Sequence, residues 1–439
     1  MKNMEMEQTI KANAKALLPL VVFLGIYLIG SIVAGDFYKI PIVVSAMIAS
    51  MCAVAMSRER SLAEKIGDYS RGATDVNIML MIWIFVLAGA FAASTKAMGA
   101  VDATVALTLR VVPVEFLPAG IFLAACFTSI SVGTSVGTIV ALTPIASAVA
   151  EQTGCSVPWI VAIVVGGALF GDNLSFISDT TIAATRTQGC SMRDKFKTNF
   201  IIVAPAAIIT LALYIFSDGQ QIEYTPSTAA APWYTILPYI LVLITAFMGI
   251  NVLVVLSIGI LSSGLIGVIC GHFTILDWFT AMGEGIGSMG ELIIITMMAG
   301  GMLEMIRLNG GIEWIITQIT SRIRSRRGAE LSIASLVIFA DICTANNTVA
   351  IISVGTIVRK IAEKFDISAR RAASLLDTFS CVIQGVLPYG AQLLMAAGLA
   401  AISPVEIIGY LYYPMVMGVC ALFAIIIQWP RYGRAKDRR

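Results

Sequence analysis

Two carboxylates stand seven residues apart in the middle of one long apolar stretch, residues 157 to 185. They are Asp172 and Asp179, in the run Gly171-Asp172-Asn173-Leu174-Ser175-Phe176-Ile177-Ser178-Asp179-Thr180-Thr181. A carboxylate near the centre of a bilayer costs about 2.5 to 3.5 kcal/mol to insert, so such residues usually face a cavity and bind or relay an ion. The run therefore predicts a proton- and cation-coupling site with Asp172 as its main carboxylate. Asp179 either shares that role or holds the loop by accepting bonds from backbone N–H groups.

Polar groups also interrupt three other apolar stretches. The first, 116–150, contains Gly133-Thr134-Ser135-Val136-Gly137-Thr138, whose glycines loosen a helix and whose hydroxyls suit a hard cation such as Na⁺; a small-residue packing face is the alternative interpretation. Asp341 lies in the second, 331–358, and Asp377 in the third, 372–402. Asp377 is either a third intramembrane carboxylate or, because it lies close to a basic loop, a salt-bridged residue at a helix end. The candidate cation- or substrate-binding residues are Thr134, Ser135, Asn173, Ser175, Ser178, Thr180, Asp341, Asn346, Asn347, Thr348, Asp377 and Gln384. Of these, Thr134, Ser135 and Asn173 are expected to hold Na⁺ together with Asp172.

The composition predicts that membrane-spanning helices carry these groups. Of 439 residues, 58% are hydrophobic and only 13% charged, against about 25% charged in a typical soluble domain. The mean hydropathy is +0.88, and apolar runs of roughly 17 to 25 residues, long enough to cross a bilayer, recur along the chain. We therefore expect an all-α polytopic membrane protein whose main partner is the lipid bilayer, with no nucleic-acid partner.

Cysteine and histidine usage predicts no bound cofactor. The eight cysteines include no C-x-x-C pair, and the single histidine, His272, has no neighbouring Cys or His to complete a metal site. Na⁺ and H⁺ are expected only as transported or coupling ions. An intramembrane protease would also need two buried aspartates, but Leu169 stands where its G-x-G-D motif requires glycine, and H-E-x-x-H is absent. We therefore expect a protein that is not an enzyme.

Basic clusters predict the topology. By the positive-inside rule they mark cytoplasmic loops, whereas the acidic linkers 217–232 and 271–288 should face outward. Both termini are then cytoplasmic in a bacterial-type inner (cell) membrane. The clusters are Arg58/Arg60/Lys65/Arg71, Arg186/Arg193/Lys195/Lys197, Arg307 with Arg322/Arg324/Arg326/Arg327, Arg359/Lys360/Lys364/Arg370/Arg371 and Arg431/Arg434/Lys436/Arg438/Arg439. About ten crossings are predicted, near 17–34, 40–56, 75–95, 157–185, 199–216, 233–250, 252–270, 289–306, 372–402 and 407–428.

The chain also shows a weak internal repeat. Shifting it against itself by 212 residues aligns Gly89 with Gly301 and Phe127 with Phe339, and it places Asp172 opposite Gln384. The two remaining apolar segments, 116–150 and 331–358, superimpose. Each is predicted to be a re-entrant hairpin, with two short full crossings as the alternative, and the two hairpins are expected to enter from opposite sides. This is the inverted-repeat plan of secondary transporters. The predicted segments are N-terminal helices 1–60, a first half 61–216 with interrupted helix 157–185, a connection 217–288, a second half 289–430 with interrupted helix 372–402, and a basic tail 431–439.

The run from Gly171 to Thr181 resembles the signature G-D-x-x-S-P-x-S-D-T of the NhaC-type Na⁺/H⁺ antiporter family, in the ion-transporter superfamily, and the hairpin run from Gly133 to Thr138 is similar to its G-T-S-x-G-T element. The resemblance extends over roughly residues 60 to 430. It implies inverted repeats, two re-entrant hairpins, two interrupted helices and often a homodimer. The matching motif positions are Asp172, Ser175, Ser178, Asp179 and Thr180. Phe176 departs from the pattern, since the family usually has proline there, and a missing helix breaker changes the expected shape of the interruption.

Two functions agree with these patterns. The first is exchange of Na⁺ against H⁺ by alternating access, with competition for one carboxylate coupling the fluxes. The second is a Na⁺- or H⁺-coupled carrier of a small organic anion, such as malate or lactate, or of an amino acid, since the family contains such members. An arginine at the midplane would favour an anionic substrate, and Arg186, Arg307 and Arg322 all lie at predicted helix ends. This favours cation exchange, and the inverted repeat argues against a passive channel.

Overall fold

The computed structural model describes residues 11–30, 33, 41–56, 60–111, 113, 116–176, 178–216, 232–248, 250–321 and 323–430. Within these ranges every regular element is a helix, which confirms the all-α class predicted from the composition. The predicted basic tail 431–439 and nearly all of the linker 217–232 lie outside the described residues.

The described residues form a series of α-helices. In chain order they are α1 (Leu18–Leu24), α2 (Ile42–Met56), α3 (Leu62–Ala73), α4 (Val76–Ala97), α5 (Ala100–Val111), α6 (Leu117–Val132), α7 (Ser135–Thr153), α8 (Val157–Leu174), α9 (Asp179–Gln188), α10 (Met192–Phe216), α11 (Leu237–Phe247), α12 (Val252–Ile269), α13 (Ile275–Ser288), α14 (Gly290–Leu308), α15 (Gly311–Thr320), α16 (Arg326–Thr344), α17 (Asn347–Lys364), α18 (Ala369–Gln384), α19 (Ala391–Ala400), α20 (Pro404–Ile408) and α21 (Tyr412–Ile426).

The chain forms two compact units, of which the first comprises residues 1–78 and 294–324. Its helix α3 starts with a capping box, in which Glu64 accepts a 2.8 Å bond from the backbone N–H of Ser61. This bond and a second one from the Ser61 hydroxyl lower the pKa of Glu64. The hydroxyl of Tyr69, also on α3, lies 2.7 Å from the Ser50 hydroxyl of α2 and 3.0 Å from the Met298 carbonyl of α14. Tyr69 therefore ties three helices of this unit together.

The second unit, residues 79–293 and 325–439, contains two helical hairpins. Helices α6 and α7 meet at Gly133, whose φ of 75° is left-handed, and Thr134 is the N-cap of α7. Helices α16 and α17 meet at Ala345, which adopts φ 48°, and the Asn346 side chain caps α17 by accepting a 3.0 Å bond from the Val349 N–H. A left-handed residue followed by a polar N-cap ends one helix and starts the next, so each hairpin turns within two residues.

Helix boundaries repeat with the offset of 212 residues that the sequence suggests. Helices α6 and α16 end at Val132 and Thr344, and α7 and α17 begin at Ser135 and Asn347. Similarly, α8 and α18 begin at Val157 and Ala369, and α9 and α19 at Asp179 and Ala391. The two halves of the chain therefore break at the same places. Their opposite orientation in the membrane and the re-entrant character of the hairpins stay predictions.

Glycines let the first hairpin approach the interrupted helix closely. A Cβ on Gly167 of α8 would lie 2.6 Å from the Phe122 carbonyl oxygen of α6, and one on Gly171 would lie 2.5 Å from the Ile130 nitrogen. Real Cβ atoms do not approach backbone this closely, so these two positions, four residues apart on one face, require glycine. Small residues at this spacing allow helix backbones to pack tightly in membranes.

Five helical segments of the described chain are long and apolar enough to cross a membrane. They are Val76–Ala97, Val157–Gln188, Met192–Phe216, Val252–Ile269 and Ile275–Leu308, and shorter apolar helices accompany them. The last segment includes α13, so the stretch 271–288 is mostly helical rather than the linker expected from its acidic residues. The apolar residues between Asp277 and Glu284 explain the difference, since they leave only two charges in a helix of 14 residues.

Candidate ion-binding site

A four-residue break between α8 and α9 carries the candidate site. The helix continues through Gly171 and ends at Leu174, so the break starts at Ser175. The Ser175 N–H bonds the Gly171 carbonyl at 2.7 Å, and the Ser175 hydroxyl donates to the Ile130 carbonyl of α6 at 2.9 Å. Phe176 is 47% exposed and stacks on Phe196 of α10, with ring centroids 4.6 Å apart. The helix therefore breaks without the proline of the family pattern.

Asp172 lies in the last turn of α8 and is 5% exposed. Its Oδ1 accepts a 2.5 Å bond from the hydroxyl of Ser178, the N-cap of α9, and its Oδ2 accepts a 2.8 Å bond from the hydroxyl of Ser135 in the first hairpin. Within the described ranges, no lysine, arginine or histidine forms an ion pair with Asp172. Rotatable hydroxyls are therefore the groups that satisfy this carboxylate.

The hydrogen bonds continue from Asp172 into the second half of the chain. The Gln392 amide, at the start of α19, donates to the Ser135 hydroxyl at 3.0 Å. Gln384, the last residue of α18, donates to Gln392 Oε1 at 2.9 Å and to the Ala345 carbonyl at the turn of the second hairpin at 3.2 Å. Both glutamines are buried. The network thus joins the first hairpin and both helix breaks to the turn of the second hairpin.

A second buried carboxylate, Asp377 of α18, is already paired. The Lys195 ammonium of α10 forms an ion pair with Asp377 Oδ2, and the two side chains are 1% and 0% exposed. The same oxygen accepts bonds from the side-chain amides of Asn173 at 3.0 Å and Asn199 at 3.2 Å. Lys195 also donates to the Asn173 carbonyl at 2.6 Å and to the Thr181 hydroxyl at 2.8 Å. Lys195 is therefore enclosed by acceptors from α8, α9 and α18.

Lys195 and its neighbour Asn199 were missed in the sequence analysis. Lys195 was counted among the loop charges that set the topology, which is wrong, since it is buried within α10. The sequence leaves Asp377 as either a third intramembrane carboxylate or a residue paired with the basic loop 359–371, and in the structure it is a buried carboxylate that pairs with Lys195. The spacing of Lys195 and Asn199, four residues apart, places both on one helix face and was the available signal. Thr181, which accepts a bond from Lys195, and Gln392, which donates to Ser135, were also not predicted as part of the site.

The other predicted residues occupy several environments. Thr180 is buried and its hydroxyl lies 2.8 Å from that of Ser178, whereas Asp179, the first residue of α9, is exposed and stands outside this network. Thr134 is half-buried and its carbonyl accepts a 3.1 Å bond from the Thr138 hydroxyl. In the second hairpin, Asn346 and Thr348 are half-buried while Asn347 and Asp341 are buried. Of the predicted residues, the structure therefore joins Asp172, Ser135, Ser178, Thr180 and Gln384 in one hydrogen-bonded group that includes Gln392. Asn173 and Asp377 belong to a second group, around Lys195.

This arrangement suits a monovalent cation. With Asp172 ionised, the group of Asp172, Asp377 and Lys195 carries two negative charges and one positive charge, so one added cation neutralises it. The oxygens next to Asp172 are hydroxyls, which are hard ligands of the kind that Na⁺ shares with other hard cations. Among the described residues there is no cluster of three or more His, Cys, Asp or Glu side chains that could hold a transition metal.

Comparison with known proteins agrees with this chemistry. The chain is 25% identical to a Na⁺/H⁺ antiporter NhaC of Bacillus subtilis over 95% of its length and 98% of that protein. It is 22% identical to a Na⁺/H⁺ antiporter NhaC of Alkalihalophilus pseudofirmus over 81% of its length and 83% of that protein. It is also 21% identical to a malate-2H⁺/Na⁺-lactate antiporter of Bacillus subtilis, over 70% of its length and 74% of that protein.

The model of the Na⁺/H⁺ antiporter family matches residues 3–218 and 222–429. These two ranges contain both hairpins, both helix breaks and all residues of the hydrogen-bond network around Asp172 and Asp377. The chain is a multi-pass membrane transporter that belongs to the Na⁺/H⁺ antiporter family.

Proposed function

We propose that the protein exchanges Na⁺ for H⁺ across the membrane by alternating access, with Asp172 as the carboxylate that both ions share. The observation that carries this proposal is the contrast between two buried carboxylates. Asp377 is paired with the fixed ammonium of Lys195, whereas Asp172 is held by the hydroxyls of Ser135 and Ser178. A hydroxyl that donates to a carboxylate can turn and present its oxygen to an incoming cation. Asp172 is therefore the carboxylate whose counter-ion can be exchanged.

Charge balance makes the exchange one for one at this carboxylate. When Asp172 is ionised, Lys195 offsets Asp377 and one negative charge remains in a site that is shielded from water. An uncompensated buried charge is costly, so this site favours binding one cation, either H⁺ or Na⁺. Both ions cannot neutralise the same carboxylate at once. Binding of one therefore releases the other, which is the coupling that an antiporter needs.

The position of Asp172 between broken helices supports alternating access. Asp172 lies in the last turn of α8, and the C-terminus of a helix carries partial negative charge that favours a cation. Its partners come from a hairpin turn and from the start of α9, and Gln392 extends the network to the second broken helix. Secondary transporters bind their ions at such breaks between repeated halves. A movement of either hairpin would change the ligands of Asp172, and with them the side from which the ion leaves.

Coupled transport of a small organic anion is the alternative function. We retain it because one relative is a malate-2H⁺/Na⁺-lactate antiporter. The buried Lys195 is the group that could bind a substrate carboxylate. However, its ammonium already contacts Asp377, the Asn173 carbonyl and the Thr181 hydroxyl. It has no contact left for a substrate unless that network opens. Exchange of inorganic cations requires no such opening.

The test is proton flux in proteoliposomes that contain a pH-sensitive dye. Wild type, Asp172→Asn and the control Asp102→Asn, an exposed carboxylate that bonds Gln152, are compared after addition of Na⁺, K⁺, malate, lactate or amino acids. We expect Na⁺ alone to drive proton movement in wild type and in the control, and Asp172→Asn to abolish it. A wild-type protein that stays silent until an organic solute is added would contradict the proposal and favour the carrier.

A further inference from the structure

A third buried carboxylate, Asp341, takes no part in the network around Asp172. It lies in the last turn of α16, one turn before the break at Ala345, and is 0% exposed. Neither of its carboxylate oxygens has a hydrogen-bond partner, and within the described part of the chain no basic side chain forms an ion pair with it. Asp377, by comparison, is buried to the same extent and has an ammonium and two amides on one of its oxygens.

The groups around Asp341 provide no compensating charge. Helices α17, α18 and α21 pack against α16. The titratable group that faces Asp341 is the hydroxyl of Tyr389, which interacts with it electrostatically and donates to the Ile342 carbonyl at 2.8 Å. The other titratable or charged groups on α16 and the helices packed on it are Arg326, Arg327, Glu330 and Cys343 on α16, Arg359, Lys360, Glu363 and Lys364 on α17, Arg370, Arg371, Asp377 and Cys381 on α18, and Tyr412, Tyr413 and Cys420 on α21.

These charged groups are engaged elsewhere or lie far along their helices. Arg371 pairs with Glu330, and Asp377 pairs with Lys195. Glu330 precedes Asp341 by eleven residues of the same helix, which corresponds to about 16 Å of rise. The charges of α17 start at Arg359, twelve residues after the helix begins at Asn347. An ionised Asp341 would therefore be a buried charge with neither a partner nor a hydrogen bond, which is among the most costly states of a protein side chain.

The repeat of the chain indicates what this position needs. The offset of 212 residues places Asp341 opposite Ser129 of the first hairpin, and the Ser129 hydroxyl donates a 2.5 Å bond to the Ala168 carbonyl of α8. A protonated carboxyl group retains one O–H donor, as a serine does, whereas a carboxylate has none. A Na⁺ ion at Asp341 would need several further oxygen ligands, while a proton needs only the carboxyl group itself. Protonation is thus the simplest way to remove the uncompensated charge of this side chain.

The turn that follows Asp341 is connected to the ion site. The Ala345 N–H donates to the Asp341 backbone carbonyl at 2.7 Å, and the Ala345 carbonyl accepts the 3.2 Å bond from Gln384. Gln384 in turn reaches Asp172 through Gln392 and Ser135. A rearrangement at Asp172 that moves Gln384 would therefore act on the turn that buries Asp341. Through this connection, the access of protons to Asp341 can change with the transport cycle.

We propose that Asp341 is a second proton-binding site, separate from the Na⁺-exchanging carboxylate Asp172, and that its proton is carried in each transport cycle. This inference rests on the proposed Na⁺/H⁺ exchange. One proton leaves Asp172 when Na⁺ binds, and a second is held and released by Asp341. Exchange is then electrogenic, because two protons move against one Na⁺. Without the second proton the exchange is electroneutral.

The first experiment tests proton occupancy without transport. Infrared difference spectra of purified protein, recorded between acidic and alkaline pH, report the carbonyl stretch of protonated carboxylic acids. We expect one such band to disappear in Asp341→Asn and to persist in Asp172→Asn. If Asp341→Asn leaves every carboxylic acid band in place, Asp341 binds no proton and the inference fails, whether or not the protein exchanges Na⁺ for H⁺.

The second experiment measures the coupling ratio in proteoliposomes. A fixed Na⁺ gradient is balanced against a proton gradient and a K⁺/valinomycin potential until net flux stops. We expect the ratio to fall from about two protons per Na⁺ in wild type to about one in Asp341→Asn, so that the membrane potential no longer drives Na⁺ movement. The KM for Na⁺ should stay within about twofold, since no Na⁺ ligand is removed.

Two outcomes would overturn the inference. An unchanged ratio in Asp341→Asn would mean that the proton stays on Asp341 throughout the cycle, and a KM for Na⁺ raised tenfold or more would make Asp341 a cation ligand instead. If Asp341→Asn is poorly folded, Asp341→Ser, which introduces the residue type of the other half, serves for both experiments. A wild type without Na⁺-driven proton flux would sink the proposed exchange while the infrared result still decides whether Asp341 binds a proton.

Discussion

The ammonium of Lys195 and the carboxylate of Asp377 form an ion pair in the second unit, where α8, α10 and α18 meet. Both side chains are almost completely buried, and Asn173 contacts both of them, with its carbonyl on Lys195 and its amide on Asp377. Asn173 directly follows Asp172 in the last turn of α8. The carboxylate of Asp172 and the amide that binds Asp377 therefore belong to consecutive residues, although only Asp377 is paired with an ammonium.

Removing the ammonium of Lys195 should destabilise the protein strongly. Lys195→Met leaves Asp377 as an unpaired buried charge, and breaking such a pair costs about 3 to 5 kcal/mol. The double variant Lys195→Met/Asp377→Leu removes both charges and should recover most of the loss. Thermal unfolding in detergent checks both.

The matched control is Arg359→Met, which breaks an exposed pair with Glu363 at 3.2 Å and should cost less than about 1 kcal/mol. Equal losses for Lys195→Met and Arg359→Met would show that the Lys195 pair adds no more stability than a surface contact.

The hydroxyls of Ser135 and Ser178 should set the affinity for Na⁺. Each donates to Asp172, and each is expected to offer its oxygen when Na⁺ binds. An interaction of a hydroxyl with a charged partner contributes about 1.5 to 3 kcal/mol, so Ser135→Ala and Ser178→Ala should each raise the KM for Na⁺ by about 10- to 100-fold. Initial rates of Na⁺-driven proton flux against Na⁺ concentration give these values.

Ser131→Ala is the control for this measurement, because the Ser131 hydroxyl lies in the same hairpin and donates to the Phe127 carbonyl of its own helix at 2.9 Å. Its KM should match wild type. A Ser178→Ala variant with wild-type KM would exclude that hydroxyl as a ligand.

A side chain at Gly171 should prevent the first hairpin from docking on α8. The added Cβ of Gly171→Ala would lie 2.5 Å from the Ile130 nitrogen and 2.6 Å from the Ser129 hydroxyl oxygen, and backbone cannot move aside as a flexible side chain can. Overpacking of this kind typically costs about 1 to 3 kcal/mol, and more where backbone must shift. We therefore expect the free energy of unfolding to fall by at least this amount.

Gly283→Ala, in α13, provides the comparison, since no atom lies within 4 Å of its added Cβ. That variant should be neutral or slightly stabilising, because alanine loses less backbone entropy than glycine in a helix. Thermal unfolding of the two variants side by side measures the difference, and similar melting temperatures would contradict the tight contact at Gly171.

Single residues explain which parts of the site could be predicted from the sequence. Asp172 was identifiable because a carboxylate within a long apolar run is expensive, and the hairpin turns were identifiable because Gly133 and Asn346 interrupt apolar runs. Lys195 was not, because Arg193 and Lys197 flank it and make it look like one of several loop charges. Its burial depends on which acceptors α8, α9 and α18 bring to α10, and local sequence carries no information about such contacts between distant segments.

The environment of Asp179 could not be predicted from the sequence either, because it depends on where the helix breaks. Asp172 and Asp179 have similar neighbours in the chain, yet one is 5% exposed and the other is exposed. The four-residue break between α8 and α9 turns the second carboxylate away from the first. An unbroken helix would have placed both on one face, two turns apart. Where a helix breaks therefore decides which of two similar carboxylates is buried.

Competition at one carboxylate predicts how transport depends on pH. If H⁺ and Na⁺ share Asp172, protons occupy the site as pH falls, and the apparent KM for Na⁺ should rise, approaching tenfold per pH unit once most sites are protonated. The rate at saturating Na⁺ should change much less, because enough Na⁺ displaces the proton. Initial rates over a grid of Na⁺ concentrations and pH values measure both quantities. A KM that stays constant while the maximal rate falls would place the two ions on separate groups and contradict the shared-site mechanism.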